Sequence, residues 1–419
     1  MAVFFYNIFL WLFRAGTQIA SLFNPKAKKW VAGRKQLFQR LEAAIPAETP
    51  VIWVHCASLG EFEQGRPVME KLKALYPGHK ILLTFFSPSG YEVQKNYKVA
   101  DWVFYLPMDS PKNAKRFLEI VHPSLVIFVK YEFWYYYLKK IKYRNIPLLL
   151  ISALFRKDMS FFKWYGGLQR KMLSRFDHLF VQTPSSKKLV DELGLDKICS
   201  ISGDTRFDRV LEIAAGATTI PSIEKFIVNN KVIIAGSTWK PDEELLQQSL
   251  DFLSFNQIKL IIAPHEIDEK HISELLTLFP TAIRYSTLSE LKEPEGANIL
   301  IIDNIGLLSR IYRYAYCCYI GGGLSNTGVH NVLEAAVFSK PVFYGPQYTK
   351  YSEAIGLIGT KGAYAVENKD AFIATLNQLL VDPVHYQETS ARAGEFVKNN
   401  AGATQKIVAF IQEKRLLTS

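Results

Sequence analysis

From about residue 50 onward, short runs of β-branched and aromatic residues alternate with longer amphipathic segments. In the first half the apolar runs Val51–His55, Ile81–Phe86, Leu125–Val129, Leu148–Ser152, His178–Gln182 and Ile198–Ile201 read as strands. Helical patterns such as Phe62–Tyr76 and Pro111–Val121 lie between them. The second half repeats the scheme with Val232–Ala235, Leu260–Ala263, Ile299–Ile302, Cys317–Ile320, Val342–Tyr344 and Ala363–Val366. Strands without a polar face, alternating with helices, predict an α/β chain with parallel sheets covered on both sides. Two halves of about 170 to 190 residues each predict two Rossmann-like domains. Small residues, threonines and a proline at Ala214–Ile223 mark the join, giving domains over 26–213 and 214–400. The segment 401–419 is helical in pattern over Ala401–Leu417 and is expected to pack back on the first domain. Ligand belongs off the carboxyl ends of the strands, in a deep cleft between the two domains.

Residues 1–25 do not follow this rhythm. Val3–Phe13 is apolar and aromatic apart from Asn7, Arg14 interrupts it, and the apolar character resumes to Phe23. A basic tract follows, with Lys26, Lys28, Lys29, Arg34, Lys35 and Arg40. The run is short for a membrane span of about 20 residues. An aromatic helix with a basic flank suits an anchor at the membrane interface; a buried helix with a solvated basic face is the competing reading.

The net charge of +11 points to an anionic partner, with nucleic acid, acidic lipid and phosphorylated sugar all open on charge alone. Dispersed basic residues and the lack of a nucleic-acid-binding module argue against nucleic acid. The four cysteines have no CxxC spacing and read as reduced packing residues. No motif argues for a catalytic metal.

The stretch Cys318–Pro346 is the most informative. A strand runs into three glycines and a polar loop, and a helix is expected to open at about Asn331. Gly322 and its neighbours let backbone approach a ligand, the helix start attracts an anion near His330 and Asn331, and Glu334 suits a ribose. Such a connection also arises for packing alone. In the second domain the loops at Ser237–Thr238, Pro264–Glu266 and Asp303–Gly306 leave strands at the same edge, and three loops of the first domain also carry candidates. Ser58–Glu61 has the spacing of a helix capping box, yet places Glu61 where a carboxylate can take a proton from a hydroxyl. Lys130 and Glu132 end a buried strand, as a structural ion pair or as part of a site. Arg206 either holds an anion or pairs with Asp204 or Asp208. Ser237 and Thr238 either bind phosphate or cap a helix, and His265 is a ligand contact or a solvated residue. Two facing Rossmann-like domains are the GT-B glycosyltransferase layout, shared with some epimerases, so architecture leaves function open.

Taken in order, the N-terminal segment, His55–Glu61 (H-x-x-S-x-G-E), Thr84–Gly90, Tyr105–Asp109, Gly203–Asp208, Pro264–His265 and Gly321–Pro346 resemble the 3-deoxy-D-manno-octulosonic acid (Kdo) transferases of Gram-negative lipopolysaccharide synthesis. The resemblance covers essentially the whole chain. It implies an inverting GT-B enzyme, needing no metal or other cofactor, that moves Kdo from CMP-Kdo to lipid IVA at the cytoplasmic face of the inner membrane. By the same resemblance Glu61 is the general base. Pro264 and His265, Ile305, Gly306 and Leu307, and Asn331, Val332, Leu333 and Glu334 hold CMP. Arg206 stands where the family has a lysine that steadies the transition state, a swap that keeps the charge and changes the geometry. Lys130 replaces the first carboxylate of the family's E-T-E-L-W. Pro264-His265-Glu266 lacks the arginine of P-R-H, and Leu307 replaces an acidic residue, leaving backbone contacts there. Rival readings are a GT-B enzyme using a UDP-sugar, separable by nucleotide competition, and a non-catalytic anionic-lipid binder, marked by binding that ignores nucleotides.

Overall fold

The structure, a computed structural model, describes residues 1–290 and 296–417. The chain divides into two units, one of Met1–Asp208 with Ala401–Ser419, the other of Arg209–Asn400. The division thus falls just ahead of the Ala214–Ile223 stretch, within the helix Thr205–Ala215.

The first unit holds a seven-stranded parallel sheet of β1 (Val51–Cys56), β2 (Lys80–Phe85), β3 (Trp102–Tyr105), β4 (Pro123–Val129), β5 (Leu148–Ala153), β6 (His178–Val181) and β7 (Cys199–Ile201). Their order is β3-β2-β1-β4-β5-β6-β7. Every side chain of β1 is buried, which requires cover on both faces. Successive residues supply it in turn. Val51 and Trp53 join one core with Phe117 and Phe128, and Ile52, Val54 and Cys56 join another with Phe62 and Leu83. The buried indole of Trp53 finds its acceptor in the Thr84 hydroxyl of β2, 2.8 Å away.

The second unit repeats the design with β8 (Lys231–Thr238), β9 (Ile258–Pro264), β10 (Ala282–Arg284), β11 (Ile299–Ile301), β12 (Cys317–Ile320), β13 (Val342–Tyr344) and β14 (Ala363–Ala365). The order is β10-β11-β9-β8-β12-β13-β14, again with parallel pairings throughout. Two Rossmann-like units are therefore present, the make-up of the GT-B class. β3 and β10 are not predicted by the apolar runs. Both are edge strands with mostly half-buried side chains; β3 is nonetheless an unbroken apolar run, Trp102–Tyr105, whereas β10 is three residues long and ends in Arg284. All four cysteines are free and buried.

The N-terminal residues form α1 (Ala2–Ala20), followed by α2 (Pro25–Ala32) and α3 (Leu37–Ala44). Helix α1 continues unbroken through Arg14. One side docks on the first unit: the Tyr6 hydroxyl donates to Asp109 at 2.6 Å, Asn7 accepts from the Tyr136 hydroxyl at 2.9 Å, and Phe13 packs on Trp30 and Phe86. The other side leaves Phe4, Phe5, Phe9, Trp11 and Leu12 more than half exposed. Among the described residues no helix is long and apolar enough to cross a membrane. The helix Ala403–Glu413 packs on the first unit, placing Ile407, Val408 and Ile411 in the core with Phe62 and Leu83.

Candidate functional site

Near the middle of each sheet the strand order reverses, and the loops on either side of that reversal diverge to leave a crevice. In the first unit the reversal lies between β1 and β4. The loop after β1 leads into α4 (Leu59–Leu75), and the loop after β4 carries Lys130 to Trp134. Helix α4 lies close over both strands because Gly65 has no side chain. A Cβ there would sit 3.0 Å from Val129 and 3.3 Å from Cys56.

Glu61 occupies the first turn of α4, half-buried, with its carboxylate bonded by the Ser58 hydroxyl. The capping box expected from the sequence is therefore altered. Ser58 stands at the N-cap, but its hydroxyl makes no bond to the backbone N–H groups of the helix and serves the carboxylate instead. Burial, then the charges of Glu61, Glu132 and Glu63, push the Cys56 thiol well above its ordinary value. The charges of Glu61 and Glu132 thus both bear on one buried thiol.

Of the two readings open for Lys130 and Glu132, the ion pair between them does not form. Glu132 instead accepts from Trp134 Nε1 at 2.6 Å and lies 2.8 Å from His55 Nε2, while His55 Nδ1 meets the Thr84 hydroxyl at 2.9 Å. A proton on Nε2 lets the ring donate to Glu132, while Nδ1 faces both the hydroxyl and, at 3.1 Å, the carbonyl oxygen of Thr84. Lys130 has φ of 66° and its Nζ lies 5.4 Å from the ring centre of Tyr131. His55 is fully buried and is absent from the sequence-derived candidates; its place in H-x-x-S-x-G-E was the available signal.

Arg206 is bound to Asp204, with Nε at 2.9 Å and Nη2 at 2.7 Å from one carboxylate oxygen. Of the alternatives open in the sequence, pairing with Asp204 is present. Asp208 has a different task, accepting from the backbone N–H groups of Gly402 and Thr404 at 2.5 and 2.6 Å. The Thr205 hydroxyl donates to the Gln64 carbonyl of α4 at 2.6 Å, so the loop after β7 is tied to the helix that carries Glu61.

In the second unit the reversal lies between β8 and β12. Ser237, with φ of 55°, is the penultimate residue of β8, and Gly322, with φ of 89°, lies beyond β12. A buried carboxylate, Asp242, organises both loops. It accepts from Gly322 N at 2.8 Å, Trp239 N at 2.9 Å and the Tyr319 hydroxyl at 3.0 Å. Gly321 N is bonded to the Gly236 carbonyl. The first two glycines of the loop therefore spend their N–H groups inside the protein, contrary to the expected role of presenting them to a ligand. The helix that follows is also shorter and later than expected, Leu333–Ala336, with Asn331 Oδ1 accepting from Leu333 N. Its four residues give no sustained dipole at His330. Asn331 Nδ2 donates to Glu334 at 3.0 Å. Val332 and Leu333 are fully buried, so contact with a ligand there falls to backbone.

Thr238 is buried and bonded to Glu243 at 3.0 Å, which takes its hydroxyl out of phosphate binding. His265, Trp239 and His330 form a stack, with His265 at 4.7 Å from the indole and 4.4 Å from the His330 ring. Trp239 was not among the sequence candidates; the aromatic directly after Gly-Ser-Thr was the only signal. Pro264 ends β9 and is buried. In the loop after β11, Ile305 is 89% exposed, Gly306 has φ of 90° and Leu307 is buried. Among the described residues no group of three or more His, Cys, Asp or Glu side chains is placed to hold a metal ion.

Residues 33–209 match the family model described as 3-deoxy-D-manno-octulosonic-acid transferase (kdotransferase). The 3-deoxy-D-manno-octulosonic acid transferase of Aquifex aeolicus is 27% identical over 82% of this chain and 91% of its own length. That of Haemophilus influenzae is 24% identical over 94% of this chain and 93% of its own. Over most of its length the chain is similar to the Kdo transferase family. It is accordingly a glycosyltransferase. Among solved structures, the UDP-GlcNAc 2-epimerase of Neisseria meningitidis superposes with a TM-score of 0.61 at 17% identity, covering 87% of this chain and 100% of that one. A glycosyltransferase from Rickettsia africae gives 0.58 at 15%, covering 87% and 98%. These likenesses concern the fold.

Proposed function

We propose that this protein transfers Kdo from CMP-Kdo to lipid IVA with inversion, Glu61 acting as general base, at the cytoplasmic face of the inner membrane. The observation that carries the reading is the position of Glu61. It lies in the first turn of α4, at the β1/β4 crevice, with one oxygen held by Ser58. A carboxylate so held can accept the proton of an attacking acceptor hydroxyl. The donor sugar is itself a carboxylic acid and its leaving group a phosphate, so the transfer needs cations and oriented dipoles near the reacting carbon. Arg206, oriented by Asp204, is the candidate cation of the first unit, and Lys130 stands by the same crevice as Glu61. In the second unit the loops bearing Ser237, His265, Ile305–Leu307 and His330–Glu334 are the proposed seat of CMP, with no metal in the scheme. The exposed aromatic side of α1 and the basic tract behind it support a membrane-surface location, and nucleic acid has no place in the reading.

The test is transfer from freshly generated CMP-Kdo to lipid IVA by the purified chain, read by mass spectrometry with chelator present. Glu61→Ala is expected to lower the rate by at least about 100-fold while CMP binding persists. A fully active Glu61→Ala variant overturns the base assignment. Competition by UDP in place of CMP overturns the donor. Loss of activity with chelator, restored by a divalent ion, overturns the metal-free scheme.

A further inference from the structure

Two pockets adjoin α1 and share Trp30 as a wall. One, of 290 Å³, is lined by Arg14 and Gln18 of α1, by Arg34 and Lys35, and by Phe38 and Met108 among others. The second, of 310 Å³, is mostly apolar, with Phe13, Phe86 and Pro88 in its lining and Asn24 and Lys26 at its edge. Together the linings contain four cations, Arg14, Lys26, Arg34 and Lys35, and no carboxylate.

Three features make this more than a surface depression. The Trp30 indole Nε1 is buried and has no hydrogen-bond partner, a state that costs free energy unless an acceptor is supplied. Arg34 lies 3.9 Å above the Trp30 ring and gives its N–H groups to the carbonyls of Leu106, Phe86 and Trp30, so no carboxylate neutralises its charge. Burial pulls its value down to about 9, with the phenols of Tyr105 and Tyr137 opposing. A second charge of opposite sign would relieve it. Lastly, the helix that supplies Arg14 and Phe13 to the pockets carries Phe4, Phe9 and Trp11 exposed on its other side.

We propose that the paired pockets at Trp30 hold one anionic phospholipid drawn from the bilayer, its phosphate at Arg14, Arg34 and Lys35 and the start of an acyl chain against Phe13, Phe86 and Pro88. A phosphate or ester oxygen supplies the acceptor that the Trp30 N–H lacks. The site rests on the membrane-surface reading given above and adds to it a single, stoichiometric lipid.

The probe is dihexanoyl phosphatidylglycerol below its micelle concentration, titrated calorimetrically into the full chain. One saturable site is expected. Arg14→Gln with Lys35→Gln, both exposed positions, is expected to weaken binding about tenfold, and Trp30→Phe to weaken it several-fold. Flotation of the unaltered protein on phosphatidylglycerol vesicles is measured in parallel, with Phe4→Ser and Phe9→Ser. Those two are expected to lose vesicle binding and keep the soluble lipid. If the protein floats but binds no short-chain lipid, or if the Arg14/Lys35 variant binds it unchanged, the site is overturned and the membrane reading stands. If the protein neither floats nor binds, both fall. Displacement of the lipid by millimolar inorganic phosphate would overturn the lipid assignment by reducing the pockets to a phosphate site.

Discussion

The indole nitrogen of Trp239 donates to Nε2 of His330 over 2.9 Å. Because an indole can only donate, Nε2 must be the bare nitrogen, and His330 is fixed as the neutral ring with its proton on Nδ1. Burial, then the neighbouring His265, pulls His330 down to about 4. A depressed imidazole favours folding at neutral pH, and that contribution is lost as pH falls from the ordinary value near 6.5 toward 4. In Trp239→Phe the lone pair is released, and the His330 titration midpoint is expected to rise by about one unit, read from its ring proton shifts by NMR. An unchanged midpoint would show that the indole does not hold the tautomer.

Asp109 predicts the opposite pH sense. Burial raises its carboxyl to about 6, although Tyr6 and the N–H groups of Tyr136 and Tyr137 bond to it and pull the other way. A raised carboxyl contributes most below the ordinary value of 3.8 and loses the contribution as pH climbs through about 6. The stability advantage of the unaltered protein over Asp109→Ala is expected to narrow by up to roughly 3 kcal/mol between pH 4 and 7. Denaturant unfolding at several pH values measures it. A gap that widens with pH contradicts the sign.

Glu132 and Lys130 separate cleanly. Glu132→Ala strands the Trp134 N–H and the His55 ring, and is expected to cost roughly 2–4 kcal/mol. Lys130→Ala touches none of these bonds and is expected to change stability by less than about 0.5 kcal/mol. Urea titrations of the two variants decide it; equal losses would mean that the lysine belongs to the buried network after all.

Asp208→Ala leaves two N–H groups at the start of the Ala403–Glu413 helix without their carboxylate. A loss of about 1–2 kcal/mol is expected, as for other helix caps. Hydrogen exchange should report it as faster opening of that helix. If protection there is unaltered, the cap contributes nothing to holding the helix down.

The interior strands were legible because each is apolar without interruption, and that alone fixed two parallel sheets. Among the edge strands β7 and β14 were legible and β3 and β10 were not, although β3 is itself an apolar run, Trp102–Tyr105. Among the site residues, Glu61 was placed by its position after a strand. The partner of Glu132 was hidden, because His55 lies on a different strand and only the β1–β4 pairing brings the two within 2.8 Å. The glycine loop misled in a specific way. Its glycines read as ligand-facing, yet Asp242, far away in sequence, takes the Gly322 N–H into the interior. A sequence displays the donors a loop possesses, but the fold decides which acceptor claims them.

The Asp208 bonds to Gly402 and Thr404 join the two points at which the chain leaves and re-enters the first unit. That unit is therefore split in sequence, with Arg209–Asn400 inserted as one uninterrupted stretch. During synthesis the inserted unit has all its strands in hand while the first still lacks Ile407, Val408 and Ile411 from its core. Assembly from the N-terminus forward is the usual order for successive domains. Here the earlier-made half must wait, unsealed, until residues 403–413 have been translated, and only then can it close.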